Sequence, residues 1–325
     1  MPAPTSALTV QRSDLAAAFQ EFDVMANAMG FIGPQVLRPV NVARQSGQFA
    51  KIPIEQLLQQ RDTERAPGSG YARGDFQFET ATYATREHGA EEPLDDRERE
   101  MYADMMDAEL LASQRAMSAV LVNAERRCAN LLFNTTTWTG ASLTTGVTNE
   151  WDNAANATPI ANVEAAVQKV YEGSGLWPNA LIINRKVFRN LRICDEIQAL
   201  VDSQNYMDVR AGNITAPDLA AVFGLDFVIV AGGSYNAAKE GQAADPTQIW
   251  SDEYAMVAKI ATSDDFREPC VGRIFHWTGD GSAMDGRVEQ YRDEAVRSDI
   301  FRVRHDVDEI VLYPQAAHLL SNITT

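Results

Sequence analysis

The longest regular pattern of apolar and polar positions lies between Asp95 and Phe133, a run without glycine or proline. Its apolar side chains recur at Tyr102, Met106, Leu110, Met117, Leu121, Ala124, Cys128 and Leu131. The steps average close to the helical period and do not keep a seven-residue repeat, so the pattern predicts one amphipathic helix and no coiled coil. Such a helix would be roughly 58 Å long, whereas a compact globule of this chain length is about 50 Å across. A helix that spans the whole molecule predicts a flat, extended subunit.

The order of charges along this run supports a single helix. Acidic residues begin the run and two arginines end it, namely Asp95, Asp96, Glu98, Glu100, Arg126 and Arg127. This order complements the helix dipole at both ends. The alternative is two shorter helices with a kink near Ser113, because helices beyond about 25 residues are uncommon in globular domains.

The segment before this helix predicts an N-terminal arm followed by a β-hairpin. Residues 1–12 form a tail, and Ser13 can cap a short amphipathic helix that ends at Gly30. Phe49–Ile54 has the pattern of a strand, and the alternation at Phe76, Phe78, Thr80 and Thr82 predicts a second. Between them lies RDTERAPGSGYARG, which predicts a long charged hairpin tip. An isolated two-stranded element is only marginally stable unless it lies on a partner.

The middle third alternates short helices with buried strands. Thr135–Asn156 is polar and is interpreted as a domain boundary. The predicted elements after it are a helix from Thr158 and Pro159 through Val170, a strand at Ala180–Ile183 with Asn184 capping the next helix, a helix opened by Thr215 and Pro217 and closed by Gly224, and strands at Asp226–Val230, Gln248–Ser251 and Tyr254–Ile260. This order predicts a compact α+β or α/β domain.

The C-terminal part changes to long strands. They are predicted at Cys270–Thr278, at Val288–Arg304 as one continuous strand, and at Ile310–Tyr313. Gly279–Gly281 is interpreted as a turn, and Ala316–Leu320 as a short closing helix.

Composition excludes several classes of protein. No window approaches a membrane span, and the N-terminus lacks a secretory signal, so we expect no membrane partner. The net charge of −17 argues against a protein that grips nucleic acid over its whole surface. Arginine greatly outnumbers lysine, which reflects either arginine pairing at protein contacts or a GC-rich source. Cys128, Cys194 and Cys270 are far apart and are interpreted as core residues.

The sequence offers no catalytic or metal-binding motif. It contains no GxSxG, no GxxxxGK[ST], no HExxH and no GxGxxG between a strand and a helix. The four histidines, His88, His276, His305 and His318, are scattered, although a fold could gather two of them. The acidic run Asp306, Asp308 and Glu309 lacks the full ligand set of a calcium site. We therefore expect no enzyme activity, no cofactor and no metal.

The order of elements resembles the major capsid proteins of tailed bacteriophages, the Hong Kong 97-type fold. Three stretches carry the resemblance: WDNAANATPIANVEAAVQKVYEGSGLWPNALIINRKVFRNLRICDEI, DLAAVFGLDFVIVAGGSYN and GRVEQYRDEAVRSDIFRVRHDVDEIVLYPQAAHLL. They are similar to the family's proline-initiated helix with a buried strand after "PN", its later helix-glycine-strand unit, and its long peripheral strand that returns to a central strand. The resemblance implies an α+β capsid fold with an N-terminal arm (1–33), an extended loop (34–90), a peripheral domain (91–157 and 261–315, including the spine helix 95–133) and an axial domain (158–260, with 310–323 returning to it).

The resemblance also implies a function in assembly. Such proteins form hexamers and pentamers of an icosahedral virion shell, assembled in the host bacterial cytoplasm around packaged double-stranded DNA that the shell contains without specific binding. The resemblance implies a portal as a partner. It also implies a separate scaffolding protein, since only a short arm follows Met1. Binding of a decoration protein is compatible with the resemblance. Some relatives cross-link neighbouring subunits through a loop lysine. The only lysine of this hairpin is Lys51, near its base, so we expect no cross-link.

The arginines of the hairpin tip are the candidate inter-subunit contacts. Arg61, Arg65 and Arg73 are expected to meet Asp95, Asp96 and Glu98 at the start of a neighbour's spine helix, which would stabilise a hairpin that is marginal alone.

Two other functions stay open. One is an encapsulin-like nanocompartment shell, which shares the fold but holds a cargo enzyme. The other is an α/β enzyme with an unrecognised site.

Overall fold

The computed structural model describes residues 10–11, 30–60, 63–71, 73–74, 77–102, 108–203, 214–239, 241–284 and 286–325. The α-helices of these residues are α1 (Gly33–Val36), α2 (Ile54–Leu57), α3 (Asp96–Tyr102), α4 (Ala108–Leu132), α5 (Pro159–Ser174), α6 (Arg185–Ile193), α7 (Asp195–Ser203) and α8 (Ala216–Phe223). The strands are β1 (Val10–Gln11), β2 (Pro39–Val42), β3 (Ser46–Lys51), β4 (Glu79–Ala84), β5 (Arg86–Asp95), β6 (Thr144–Gly146), β7 (Ala180–Asn184), β8 (Phe227–Ala231), β9 (Ser234–Asn236), β10 (Pro246–Gln248), β11 (Ala255–Ala258), β12 (Gly272–Trp277), β13 (Arg287–Asp293), β14 (Ser298–Val311) and β15 (Ala317–Ser321). The chain is a mixed helix and strand fold.

The first sheet is built around the long strand β14. Its order is β1-β13-β14-β12-β2, and β5 also pairs with β14. Residues 298–304 of β14 pair with both β5 and β13, so this half of the strand has a neighbour on each side. Phe301 and Val303 are buried against Met117 and Val120 of α4. The long helix therefore lies along this sheet and buries its N-terminal half there.

The second sheet, of order β6-β15-β11-β7-β8, is buried on both faces. On one face Ile182, Met256 and Leu319 pack with the C-terminal half of α4. On the opposite face Leu181 and Val257 pack with helices α5 to α8. Strands covered on both faces read as short continuous apolar runs, which is how Ala180–Ile183 was recognisable in the sequence.

Two helices, α3 and α4, occupy most of the predicted spine (95–133), and their continuity as one helix stays a prediction. Asp95 is the last residue of β5, α3 begins at Asp96, and α4 ends at Leu132; residues 103–107 lie outside the described part. No break occurs at Ser113, which is buried within the continuous α4, so the predicted alternative kink there is wrong.

The extended loop is a hairpin only at its base. β3 pairs with β4 from Ser46 opposite Ala84 to Lys51 opposite Glu79. The strand predicted at Phe49–Ile54 ends at Lys51, because Ile54 begins the short helix α2. β2 and β5, which lie on either side of the hairpin in sequence, belong to the first sheet. The described residues between Leu58 and Thr80 are all exposed. The predicted arm helix from Ser13 lies outside the described residues.

Local helix signals in the middle third are confirmed. α5 begins after Thr158 and ends at Gly175, whose φ of 66° is left-handed. Asn184 caps α6 by accepting the backbone N–H of Lys186. α8 has a capping box between Thr215 and Asp218 and ends at Gly224. The strand predicted at Gln248–Ser251 is β10, which is shorter and begins two residues earlier. The strand predicted at Tyr254–Ile260 is β11, which is shorter at both ends.

Two C-terminal predictions are wrong. The continuous strand predicted at Val288–Arg304 is a hairpin, because the chain reverses at residues 294–297. The predicted helix at Ala316–Leu320 is strand β15, since pairing with β11 and β6 overrides the local pattern. Thr135–Asn156 stays a predicted domain boundary, and it contains two fully buried side chains, Trp138 and Trp151.

The three cysteines are buried free thiols, as expected. Among the described residues, no helix is long and apolar enough to cross a lipid bilayer.

Candidate inter-subunit surfaces

The hairpin base is fixed to the first sheet by aromatic packing. The ring of Tyr83 stacks on Phe275 with centroids 4.9 Å apart, and Phe49 lies 5.5 Å from the same ring. Farther out, Tyr71 and Phe78 are 75 % and 64 % exposed. Large exposed aromatic side chains on a projecting element are typical of a contact surface.

The tip arginines occupy different environments. Arg65 donates from Nε to the carbonyl of Ser69 at 2.7 Å, and its guanidinium lies 4.7 Å from the ring centroid of Tyr71. Arg73 is exposed. Arg61 lies outside the described residues. Arg65 is thus held in place by its own loop, with the rest of its guanidinium exposed.

The predicted acidic cluster begins the spine helix, but one member already has a partner in its own chain. Asp96 accepts two hydrogen bonds from the guanidinium of Arg292, at 2.6 and 2.7 Å, and this pairing lowers the pKa of Asp96. Asp95 accepts the backbone N–H of Arg97 at 2.8 Å, and Glu98 is exposed. Within the described part of one chain, no contact joins Arg65 or Arg73 to these carboxylates.

β13 and β14 carry a network of ion pairs that was not predicted from the sequence. Glu289, almost fully buried, accepts hydrogen bonds from Arg302 and Arg304 and lies 3.4 Å from Arg287. Burial alone would raise the pKa of Glu289, but the hydrogen bonds and charge of Arg304, with those of Arg302, lower it. Arg304 also pairs with Asp280 at 2.6 Å. The alternating charged residues in RVEQYRD and RVRHD are the sequence feature from which this network could have been predicted.

The fold brings two of the four histidines together. The rings of His88 and His305 are 6.0 Å apart, beside Arg127. Burial lowers the pKa of His305 to about 4, so it is neutral at physiological pH. In the acidic run, Asp308 accepts the N–H of Ala84 and Glu309 pairs with Arg127. The described residues contain no group of three His, Cys, Asp or Glu side chains that could hold a metal ion.

No protein-family model matches the chain. The chain is 25 % identical over 299 residues to the major capsid protein of Burkholderia phage BcepMu, covering 90 % of this chain and 91 % of that one. Its fold matches the crystal structure of a phage-related protein from Bordetella bronchiseptica with a TM-score of 0.70, at 20 % identity, over 97 % and 98 % of the two chains. The chain is similar in sequence and in fold to the major capsid proteins of tailed bacteriophages. Its fold also matches that of a virus-like particle from Pyrococcus furiosus, with a TM-score of 0.57 at 13 % identity over 94 % and 98 % of the chains.

Proposed function

We propose that the capsid subunit forms hexamers and pentamers that tile an icosahedral shell around packaged double-stranded DNA, with the Hong Kong 97-type arrangement of domains. The observation that carries this proposal is the match to the BcepMu major capsid protein over nearly the full length of both chains. The subunit acts as a structural component of the virion, assembled in the host cytoplasm, with no reaction to catalyse and no cofactor.

The two sheets support the division into domains, except that β6, which lies in the peripheral range, pairs with β15 of the second sheet. In this proposal the first sheet with the spine helix (95–133) forms the peripheral domain, residues 91–157 and 261–315. The second sheet with α5 to α8 forms the axial domain, residues 158–260, to which 310–323 return; β15 lies in this sheet, between β6 and β11. Residues 1–33 are the arm, and 34–90 contain the extended loop.

The projecting hairpin is the proposed inter-subunit clasp. An exposed tip with arginines and aromatic side chains can bury them against a neighbour, where Arg61, Arg65 and Arg73 would meet Asp95, Asp96 and Glu98. Because Arg292 already holds Asp96 in its own chain, the neighbour's arginine would either share this carboxylate or bind Asp95 and Glu98.

Replacing Arg61, Arg65 and Arg73 by alanine tests this clasp. We expect a folded, soluble subunit that fails to close shells, measured by sedimentation and electron microscopy. The matched control replaces Arg44, Arg86 and Arg267, which are exposed outside the tip. Normal shells from the tip variant would contradict the proposed contact.

The proposed partners besides the subunit itself are a separate scaffolding protein, a portal and, in some shells, a decoration protein. An encapsulin-like shell is the rival function. The similarity to the Pyrococcus virus-like particle favours it, but the TM-score of 0.57 is lower than the 0.70 to the phage-related protein. Neighbouring genes for a portal and a terminase would support the phage capsid, and a neighbouring cargo enzyme would support the rival.

A further inference from the structure

The proposed axial domain carries a basic groove in an otherwise acidic subunit. α6 forms one wall, and residues 231–234 with β10 form the other; the groove encloses about 750 Å³. Its cations are Arg185, Lys186, Arg189 and Arg192. For a chain with a net charge of −17, four cations within eight consecutive residues are a marked local excess.

Two of these arginines are free to bind an anion. Arg185 and Arg189 are exposed, and neither forms an ion pair with any residue that the structure describes. Lys186 is different, because its ammonium group pairs with Asp252 at 2.7 Å. Arg192 lies over the ring of Phe188, 5.5 Å from its centroid, which orients it along the same groove. The unpaired charge is therefore arginine, which binds phosphate and carboxylate oxygens through its planar fork.

The spacing of these arginines suits a phosphate backbone. Arg185, Arg189 and Arg192 recur four and three residues apart, so they share one face of α6. They span about 10 Å along the helix axis. Each strand of duplex DNA presents one phosphate per about 3.4 Å of axis, so the row faces about three successive phosphates.

The opposite wall is compatible with the same ligand. Gly232 and Gly233 bring the backbone close to the arginines, and a Cβ at Gly232 would lie 3.1 Å from the guanidinium of Arg185. Ser234 and Gln248 add neutral polar groups, and none of the described residues that line the groove is a carboxylate. Such a surface favours an anion without reading its sequence.

We infer that this groove binds the phosphate backbone of packaged DNA, without sequence preference, through Arg185, Arg189 and Arg192. The inference rests on the proposed function, because only a shell around DNA brings the groove and the polymer together. One shell would carry many copies of the groove, so weak binding of DNA at each copy would add up to strong binding overall. Since DNA repeats its charge continuously, every copy finds phosphates whatever its register, whereas an acidic protein segment would have to reach each groove in its own position. The acidic remainder of the subunit confines the contact to the groove.

The test measures binding of the full chain to a labelled mixed-sequence duplex of about 30 base pairs by fluorescence anisotropy, between about 50 and 200 mM salt. The variant is Arg185→Gln with Arg189→Gln. The plot of log affinity against log salt concentration should become less steep by about 1.8, since each lost phosphate contact removes about 0.9 from the slope. Each single variant should remove about half of this change. Arg185→Lys with Arg189→Lys should keep the slope, which separates lost charge from lost structure.

The control is Arg44→Gln with Arg267→Gln, which removes the same two charges from exposed positions outside the groove. An unchanged slope in this control supports the inference. If the control reduced the slope as much as the groove variant does, the inference would be overturned, because the change would then reflect net charge alone. A wild-type chain that does not bind DNA, or a groove variant with the wild-type slope, would also overturn it. The inference would also be overturned if the groove variant lost binding to polyglutamate but still bound DNA like the wild type, because the occupant would then be an acidic polypeptide. Electron microscopy of the same preparations keeps the two proposals apart: shells without groove binding reject only this inference, and the absence of shells rejects the proposed function.

Discussion

Glu125 of the spine helix accepts the indole N–H of Trp250 at 2.6 Å in the interior of the subunit. The same carboxylate accepts the backbone N–H groups of Ile32 and Gly33, at 2.7 and 2.8 Å, where the chain enters α1. Three segments far apart in sequence therefore meet at one side chain. Burial raises the pKa of Glu125, and the hydrogen bonds from Ile32, Trp250 and Gly33 act against this rise.

Glu125→Ala should lower the free energy of unfolding by about 3 kcal/mol or more, because three buried donors lose their acceptor and each costs about 1–3 kcal/mol. Urea unfolding of the unassembled subunit measures it. Glu164→Ala, an exposed change on α5, is the control and should stay within about 0.5 kcal/mol of wild type. If the two variants were equally stable, Glu125 would have no structural role.

Glu289→Ala should destabilise the first sheet by about 3 kcal/mol, because Arg302 and Arg304 would lose a buried carboxylate partner. Glu294→Ala, in the turn of the same hairpin and 83 % exposed, should change little.

The effect of Glu289→Ala should also depend on pH. The folded pKa of Glu289 is lowered, so its contribution is present above the unfolded value near 4.5 and is lost as pH falls through the folded pKa. The stability difference between wild type and Glu289→Ala should therefore shrink below about pH 4.5. A difference that does not depend on pH would contradict the ionic role.

Two glycines two residues apart at the end of α5 should respond to alanine with opposite signs. Gly175 has a φ of 66°, and a Cβ there would lie 2.7 Å from Cδ2 of Leu58, so Gly175→Ala should cost about 1–2 kcal/mol. Gly173 is helical, with no atom closer than 3.8 Å to an added Cβ, so Gly173→Ala should stabilise by about 0.5–1 kcal/mol. Thermal unfolding of both variants checks the pair, and equal signs would be inconsistent with this geometry.

The pairing of Asp96 with Arg292 allows a test on assembly. If a neighbour's tip arginine binds Asp96, then Asp96→Asn should reduce the yield of shells, whereas Arg292→Gln frees the carboxylate and should leave the yield equal or higher. Sedimentation of both variants at matched concentration gives the comparison. Equal losses would show that the pair matters only inside its own subunit.

Signals contained within a few residues predicted the local structure well. Thr158 with Pro159, and Thr215 with Gly224, marked α5 and α8 because caps act through neighbouring backbone groups. The turn between β13 and β14 gave no such signal. It contains neither glycine nor proline, and Arg297 adopts a left-handed φ of 52° there. β15 was mistaken for a helix because its conformation is set by strands from elsewhere in the chain.

Contacts at the surfaces could be predicted only between residues that are close together in the sequence. The acidic start of the spine helix was visible as a run of charges, but Arg292 lies 196 residues away from Asp96. Glu125 lies 125 residues from Trp250 and looked like an ordinary polar position of an amphipathic helix. The basic groove depends on α6 lying opposite residues 231–234, which only the folded sheet brings together.

Shell formation by the purified full-length chain is the central claim, and electron microscopy of that protein tests it most directly. We predict closed particles of uniform size, with hexameric and pentameric units, that sediment as assemblies in the megadalton range. A population of small oligomers under every condition tested, with no shells, rings or tubes, would contradict it.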